Sequence, residues 1–119
     1  MIHPSAASPR DFQPLPPHDL QVLIALAAGP RHAYGLARES EEARDGAVRL
    51  ELGSLYRVLA RLTASGLIAD QRGSGEGQEA KRRYYHLTPL GRRVAEAETA
   101  RLQAVVRLAR RRRLAPRKG

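Results

Sequence analysis

Two groups of side chains in this chain have the types and spacing to recognise a polyanion. In the stretch GSLYRVLARLTASGLI, residues 53–68, Ser54, Arg57 and Arg61 recur at helical spacing with Tyr56 beside them. Leu55, Val58, Leu59 and Leu62 take the i, i+3, i+4, i+7 positions of the opposite face. Guanidinium, hydroxyl and phenol groups on one exposed helix face can donate to phosphate oxygens and, inside a major groove, to base edges. The second group is Arg72, Lys81, Arg82 and Arg83, which flank a glycine-rich segment and suit phosphate or the minor groove. An ordinary amphipathic helix with solvated arginines has the same pattern, so the rest of the chain must decide.

Catalytic chemistry finds no such support. His3, His18, His32 and His86 have no metal-ligand spacing and read as surface or strand residues. No serine stands beside a plausible histidine and acid, and Glu39, Glu41 and Glu42 read as a solvated helix face. Gly73, Gly75 and Gly77 lack the Gly-Lys-Ser/Thr that would make a phosphate loop. Cysteine is absent, which excludes disulfides and thiolate metal sites. Neither an enzyme nor a cofactor or metal is expected.

Charge points to the partner. Arginine and lysine number 21 against 12 acidic residues, a formal net charge of +9, and only Lys81 and Lys118 are lysines. The excess favours nucleic acid first and an acidic membrane surface second, although a compositional bias toward arginine would look the same. The longest apolar run, residues 22–28, is far too short to span a bilayer. The N-terminus lacks the layout of a signal peptide, and a cytoplasmic location is the expectation.

The elements that must position these groups follow from periodicity and punctuation. Residues 1–17 hold five of the eight prolines and read as a disordered arm. A first helix starts at His18 or Asp19, with Leu20, Leu23, Ile24 and Ala27 inward, and ends at Gly29-Pro30. A second runs from about His32 to Ala43, with Ala33, Leu36 and Ala37 inward, and a turn at Arg44-Asp45-Gly46 follows. Val48, Arg49 and Leu50 alternate as a very short strand does. The central helix then ends at Gly66, where Leu67 can fold back on Leu62. Strands from Ile68 and over residues 81–88 form a hairpin, on which Tyr84 and Tyr85 point to opposite faces and Tyr85 shares the core face of Leu87. Thr88-Pro89 opens a last helix expected to reach Ala115, about 40 Å long. Its stripe of Leu102, Val105, Val106 and Ala109 has little of the monomer left to cover it, so a partner helix is expected, folding back on the first helix being the alternative. The fold class is therefore mainly α with a small β-hairpin. It divides into a winged helix-turn-helix over residues 18–88, a dimerisation helix over 89–115, and a basic tail over 116–119.

In this order and spacing, HAYGLARE, GSLYRVLARLTASGLI and RRYYHLTPLGRR resemble the PadR-like transcriptional regulators, over about residues 20–108. The resemblance implies a cytoplasmic, homodimeric winged-helix protein that binds double-stranded DNA, most often as a repressor, of the subgroup with one long dimerisation helix. It places Ser54, Tyr56 and Arg57 on the recognition helix, residues 81–83 on the basic flank of the wing, and Tyr34 close to the duplex backbone. Two positions depart from the family pattern. Glu51-Leu52 stands where a Ser-Pro-like pair is usual, and Ala33 replaces a frequent glycine.

A basic RNA- or ribosome-associated winged helix, or a protein–protein adaptor, is the alternative. Tandem stacking aromatics would favour RNA, and Tyr84-Tyr85 is the sole adjacent aromatic pair. A small-molecule effector stays unidentified: with no tryptophan, one phenylalanine and four tyrosines, an aromatic cage between subunits is poorly supplied.

Overall fold

The computed structural model describes residues 7–42, 48–73, 77 and 82–114. Among these residues four α-helices and three short strands follow a 3-10 turn: α1 Pro17–Ala27, β1 Arg31–His32, α2 Ala33–Glu42, α3 Leu52–Ala64, β2 Ile68–Arg72, β3 Arg83–Leu87 and α4 Pro89–Arg111. The antiparallel sheet has the order β1-β3-β2, with Ile68 opposite Leu87 and Arg72 opposite Arg83. Its buried face, Ile68 and Tyr85, joins Leu23 and Val22 of α1, Leu36 of α2, Leu55, Leu59 and Leu62 of α3, and Val94 of α4 in one core.

The central helix follows its sequence pattern closely. Leu55, Val58, Leu59 and Leu62 are its buried residues. Gly66 takes a φ of +78°, the Leu67 amide donates to the Leu62 carbonyl at 3.0 Å, and the Gly66 amide to Thr63 at 3.1 Å. These are the paired bonds of a Schellman ending. From that ending Leu67 turns directly into the sheet.

The start of α4 is built onto the same corner. Thr88 caps it, its Oγ1 accepting the Gly91 amide at 3.0 Å and lying 2.7 Å from the Gly66 carbonyl and 3.0 Å from that of Leu67. The Thr88 amide also donates to the Leu67 carbonyl, at 3.1 Å. Gly91 is buried, and a Cβ there would lie 1.9 Å from the Leu67 oxygen. Glycine is required by this close approach of helix and backbone. The helix stops at Arg111, short of the expected Ala115, where Arg113 adopts a φ of 62°.

Three further expectations need correction. Val48–Leu50 forms no strand, because its backbone groups are taken by side chains. The Gln21 amide spans Val48, accepting its N–H at 2.7 Å and donating to its carbonyl at 2.6 Å, and the Leu50 amide donates to Ser40 Oγ at 2.8 Å. The third strand is β1, where Arg31 and His32 pair with Tyr85 and Tyr84. In α1 the buried residues are Asp19, Val22, Leu23 and Leu26, while Ile24 is 56% exposed. That helix is apolar nearly all round, so periodicity alone does not choose its inward face.

The third correction concerns the N-terminal arm. Pro9–Phe12 forms a 3-10 turn closed by a Ser8/Asp11 capping box, and α1 already begins at Pro17. Phe12 and Leu15 pack against the core. The Leu15 amide donates to the Glu98 carboxylate at 2.8 Å, and Gln13 Nε2 to the Ala97 carbonyl at 3.2 Å. Glu98 is 1% exposed and receives two hydrogen bonds from the Arg101 guanidinium, at 2.7 and 2.9 Å. A proline-rich segment has less conformational freedom to lose on docking, so a few well-placed bonds hold it.

Two predictions follow from these joints. Gly91→Ala should cost about 3 kcal/mol or more, because the clash is with backbone that cannot rotate away; an unchanged denaturant midpoint would disprove the close approach. The Glu98 carboxyl is held below its usual range chiefly by Arg101, with the Leu15 amide adding to this against the opposing effect of burial. A lowered folded pKa gives stability that is complete above the unfolded value, about 4.3. That stability is lost as pH falls through the folded value. The stability difference between wild type and Glu98→Gln should therefore shrink on acidification below that pH, and a constant difference would rule the linkage out.

Candidate nucleic-acid interface

The outer face of α3 presents what its inner face leaves over. Ser54, Tyr56 and Arg57 are exposed, and Arg57 makes no ion pair or side-chain hydrogen bond with a described residue. Glu51 caps the helix through backbone only: the Leu55 amide reaches its carbonyl at 2.8 Å while its carboxylate makes no capping bond. A hollow of about 300 Å³ lies at this end, bordered by His18, Arg49, Glu51 and Ser54 among others. Backbone donors at the first turn and a free guanidinium one turn on make a face suited to an anionic groove.

Arg61 is differently placed. Its Nε donates to Asp19 Oδ2 at 3.3 Å and its Nη2 to Asp19 Oδ1. The Asp19 side chain is 5% exposed. Burying that carboxylate without its partner would be costly, so Arg61 is tied to the first turn of α1. Asp19 gave one clue in the sequence, its place at a helix start, but its partner 42 positions away did not.

On the wing, Arg72 and Arg83 stand directly opposite each other and are both exposed. A like-charged cross-strand pair is unfavourable without an anion nearby, and among the described residues Arg83 alone of the two has a carboxylate, Asp70, at 3.1 Å. Arg82 Nη1 lies 3.0 Å from His32 Nε2. His32 in turn caps α2, its Nδ1 accepting the Gly35 amide at 3.0 Å, and meets Tyr84 edge to face. The capping role of His32 was not apparent from spacing. Lys81 lies outside the described residues, as do most of the hairpin tip, the turn at 44–46 and the tail at 116–119.

Tyr34, in the first turn of α2, is 57% exposed and two residues from His32, so it borders the base of the wing. Tyr85 is buried as expected, and burial raises its phenol above the ordinary value. β2 follows α3 directly through the turn at Gly66, so the wing leaves from the C-terminal end of that helix.

The stripe on α4 does not fold back on α1. Leu102, Val105 and Val106 are exposed and Ala109 is half-buried. Between the helices runs an open groove of about 650 Å³, with Leu20 and Ile24 on one side and Leu102, Val106, Arg107 and Arg110 on the other. Among the described residues no helix is long and apolar enough to cross a membrane, and no cluster of side chains is arranged to hold a metal ion.

Comparison with known proteins gives this geometry a context. The chain is 40% identical over 77 residues to an uncharacterized 37.1 kDa protein in transposon TN4556 of Streptomyces fradiae, a match covering 65% of this chain. The chain spans about 20% of that relative's length. Its fold is similar to a PadR family transcription regulator from Clostridium difficile R20291, with TM-score 0.70 and 20% identity over 79% of this chain and 95% of that one. It is also similar to Bacillus subtilis PadR solved in complex with operator DNA, with TM-score 0.59 and 20% identity over 66% of this chain and 44% of that one. These neighbours establish the winged-helix architecture. The profile of the Transcriptional regulator PadR-like family matches residues 22–97, from the middle of α1 into α4, and the chain belongs to that family.

Proposed function

We propose that this protein is a sequence-specific DNA-binding regulator that represses transcription as a homodimer on a two-fold symmetric operator. The observation that carries the reading is α3 itself. Four apolar residues are committed to the core, and Ser54, Tyr56 and Arg57 face outward on a short helix closed by the Gly66–Leu67 turn. A helix of this kind can enter a major groove while its back stays packed. Membership of the family and the likeness to a regulator solved on its operator support the same reading.

In this reading Arg57 reads a base edge and Ser54 and Tyr56 flank it. Arg72, Lys81, Arg82 and Arg83 bring the wing to phosphate or the minor groove, and Tyr34 meets the backbone. Arg61, grouped with the DNA-facing side chains on sequence grounds, becomes a positioning residue that holds α3 against α1 through Asp19. Selection from a random duplex pool should yield a two-fold symmetric consensus; no enrichment would favour the adaptor alternative. Arg57→Ala should then cost about 1–3 kcal/mol on that consensus and less on random DNA. Arg61→Ala should weaken binding without lowering its salt dependence, whereas a slope reduced by about one unit would return Arg61 to the phosphates.

The homodimer rests on the uncovered stripe Leu102, Val105, Val106 and Ala109, with Leu20 and Ile24 of α1 beside it. Pairing through α4 would set two recognition helices about 34 Å apart, one duplex turn. Leu102→Asp puts a charge where desolvation without a partner is costly. The variant should keep its helicity, sediment as a monomer, and lose operator affinity far more than random-DNA affinity. A wild type that sediments as a monomer would overturn the dimer.

A further inference from the structure

The net positive charge of this chain is not spread over its winged helix. Residues 99–119 carry eight of the 21 basic residues and none of the 12 acidic ones, leaving 13 basic against 12 acidic in the first 98. Arg107, Arg110, Arg111, Arg112 and Arg113 fall within seven positions at the end of α4. All five are exposed, and none makes an ion pair or side-chain hydrogen bond with a described residue. A bias toward arginine over lysine accounts for which cation is used, not for where it stands. Cations also suit a helix C-terminus, but one or two serve that purpose, and five together repel one another unless an anion joins them.

We infer that the arginine-bearing end of α4 is a second nucleic-acid contact, which grips the phosphates of duplex DNA beside the segment held by α3 and the wing. This rests on the DNA-binding function proposed above. The placement supports it. The last fully buried residue of α4 is Glu98, and most of the helix beyond it is exposed. Arg107 and Arg110 line the groove whose other wall includes Leu20, early in α1. Two residues earlier, and so on roughly the opposite side of that helix, His18 lines the hollow it shares with Ser54 of α3. The basic end of α4 and the N-terminal end of the recognition helix therefore flank the same end of α1. Because Arg111, Arg112 and Arg113 stand exposed at the end of the helix, outside that groove, the contact is electrostatic and indifferent to sequence.

The test replaces Arg111, Arg112 and Arg113, which do not line the groove, in the full chain: Arg111→Gln, Arg112→Gln and Arg113→Gln together, with a triple lysine variant alongside. Binding to a selected duplex and to a random duplex is followed over a range of salt concentrations, with sedimentation and circular dichroism to check assembly and fold. The glutamine variant should keep the wild-type sequence preference. It should lose about one unit of salt slope per phosphate contact removed, or roughly tenfold in affinity per contact near 0.1 M salt. The lysine variant should restore both slope and affinity. An unchanged slope in the glutamine variant, a lysine variant that fails to restore it, or arginine-dependent binding of RNA in preference to duplex DNA would each overturn the inference. A wild type that binds no duplex overturns the proposed function as well, and is distinguished from the other outcomes by the wild-type measurement alone.

Discussion

The carbonyl of Leu67 is the point through which α3, the sheet and the long helix are tied. It accepts the Thr88 amide and lies within hydrogen-bond reach of the Thr88 hydroxyl, and Gly91 lets the first turn of α4 rest against it. Leu67 itself is 1% exposed and ends the Schellman turn of α3. Few angles are free at such a joint, since backbone meets backbone on both sides and no rotamer change can relieve it. Whatever pairs along α4 is therefore transmitted to the orientation of α3. A dimer built on a loosely hinged α4 would leave the separation of its recognition helices undefined.

Buried charge serves the same end more than it serves stability. Asp19 and Glu98 are both almost fully buried, and each is bonded to an arginine. Replacing such pairs by apolar residues is often neutral or favourable for stability, so their value here lies in placement. Asp19–Arg61 sets where the start of α1 meets the outer side of α3. Glu98 brings Arg101 and the backbone of Leu15 together and so fixes the N-terminal segment on α4. Among the described residues no buried side-chain polar atom is left without a partner, which such a scheme demands.

How far the sequence was readable depends on whether the deciding force was local. In α3, period, stop and inward face all agree, and the structure matches each. The cap at Thr88 and the core face of Tyr85 were equally legible. A two-residue strand such as β1 has no periodicity to detect, and it exists because β3 lies alongside. Val48–Leu50 alternates as a strand would, yet Gln21 and Ser40 satisfy its backbone. The N-terminal segment looked unstructured because its partners, Ala97 and Glu98, lie over 80 positions away. The exposed placement of Ser54, Tyr56 and Arg57 on α3 was legible, but the commitment of Arg61 to Asp19 was not, since an exposed helix position carries no mark of a distant carboxylate.

Charge distribution then separates two tasks that a net charge of +9 merges. Through residue 98 the chain is nearly neutral, with Asp19, Asp70 and Glu98 each bonded to an arginine. A near-neutral winged helix gains little from long-range attraction to any polyanion. Its discrimination on the proposed reading must come from short-range bonds made by Arg57 and its neighbours, which operate only in register. On that reading, sequence-independent attraction is shared by the wing and the end of α4, and at the latter no acid opposes it. Separating the two has a physical consequence. Charge placed on the reading face itself would strengthen every site alike and dilute discrimination, because specificity is a difference of affinities. Charge beside it raises the encounter rate while leaving that difference to α3.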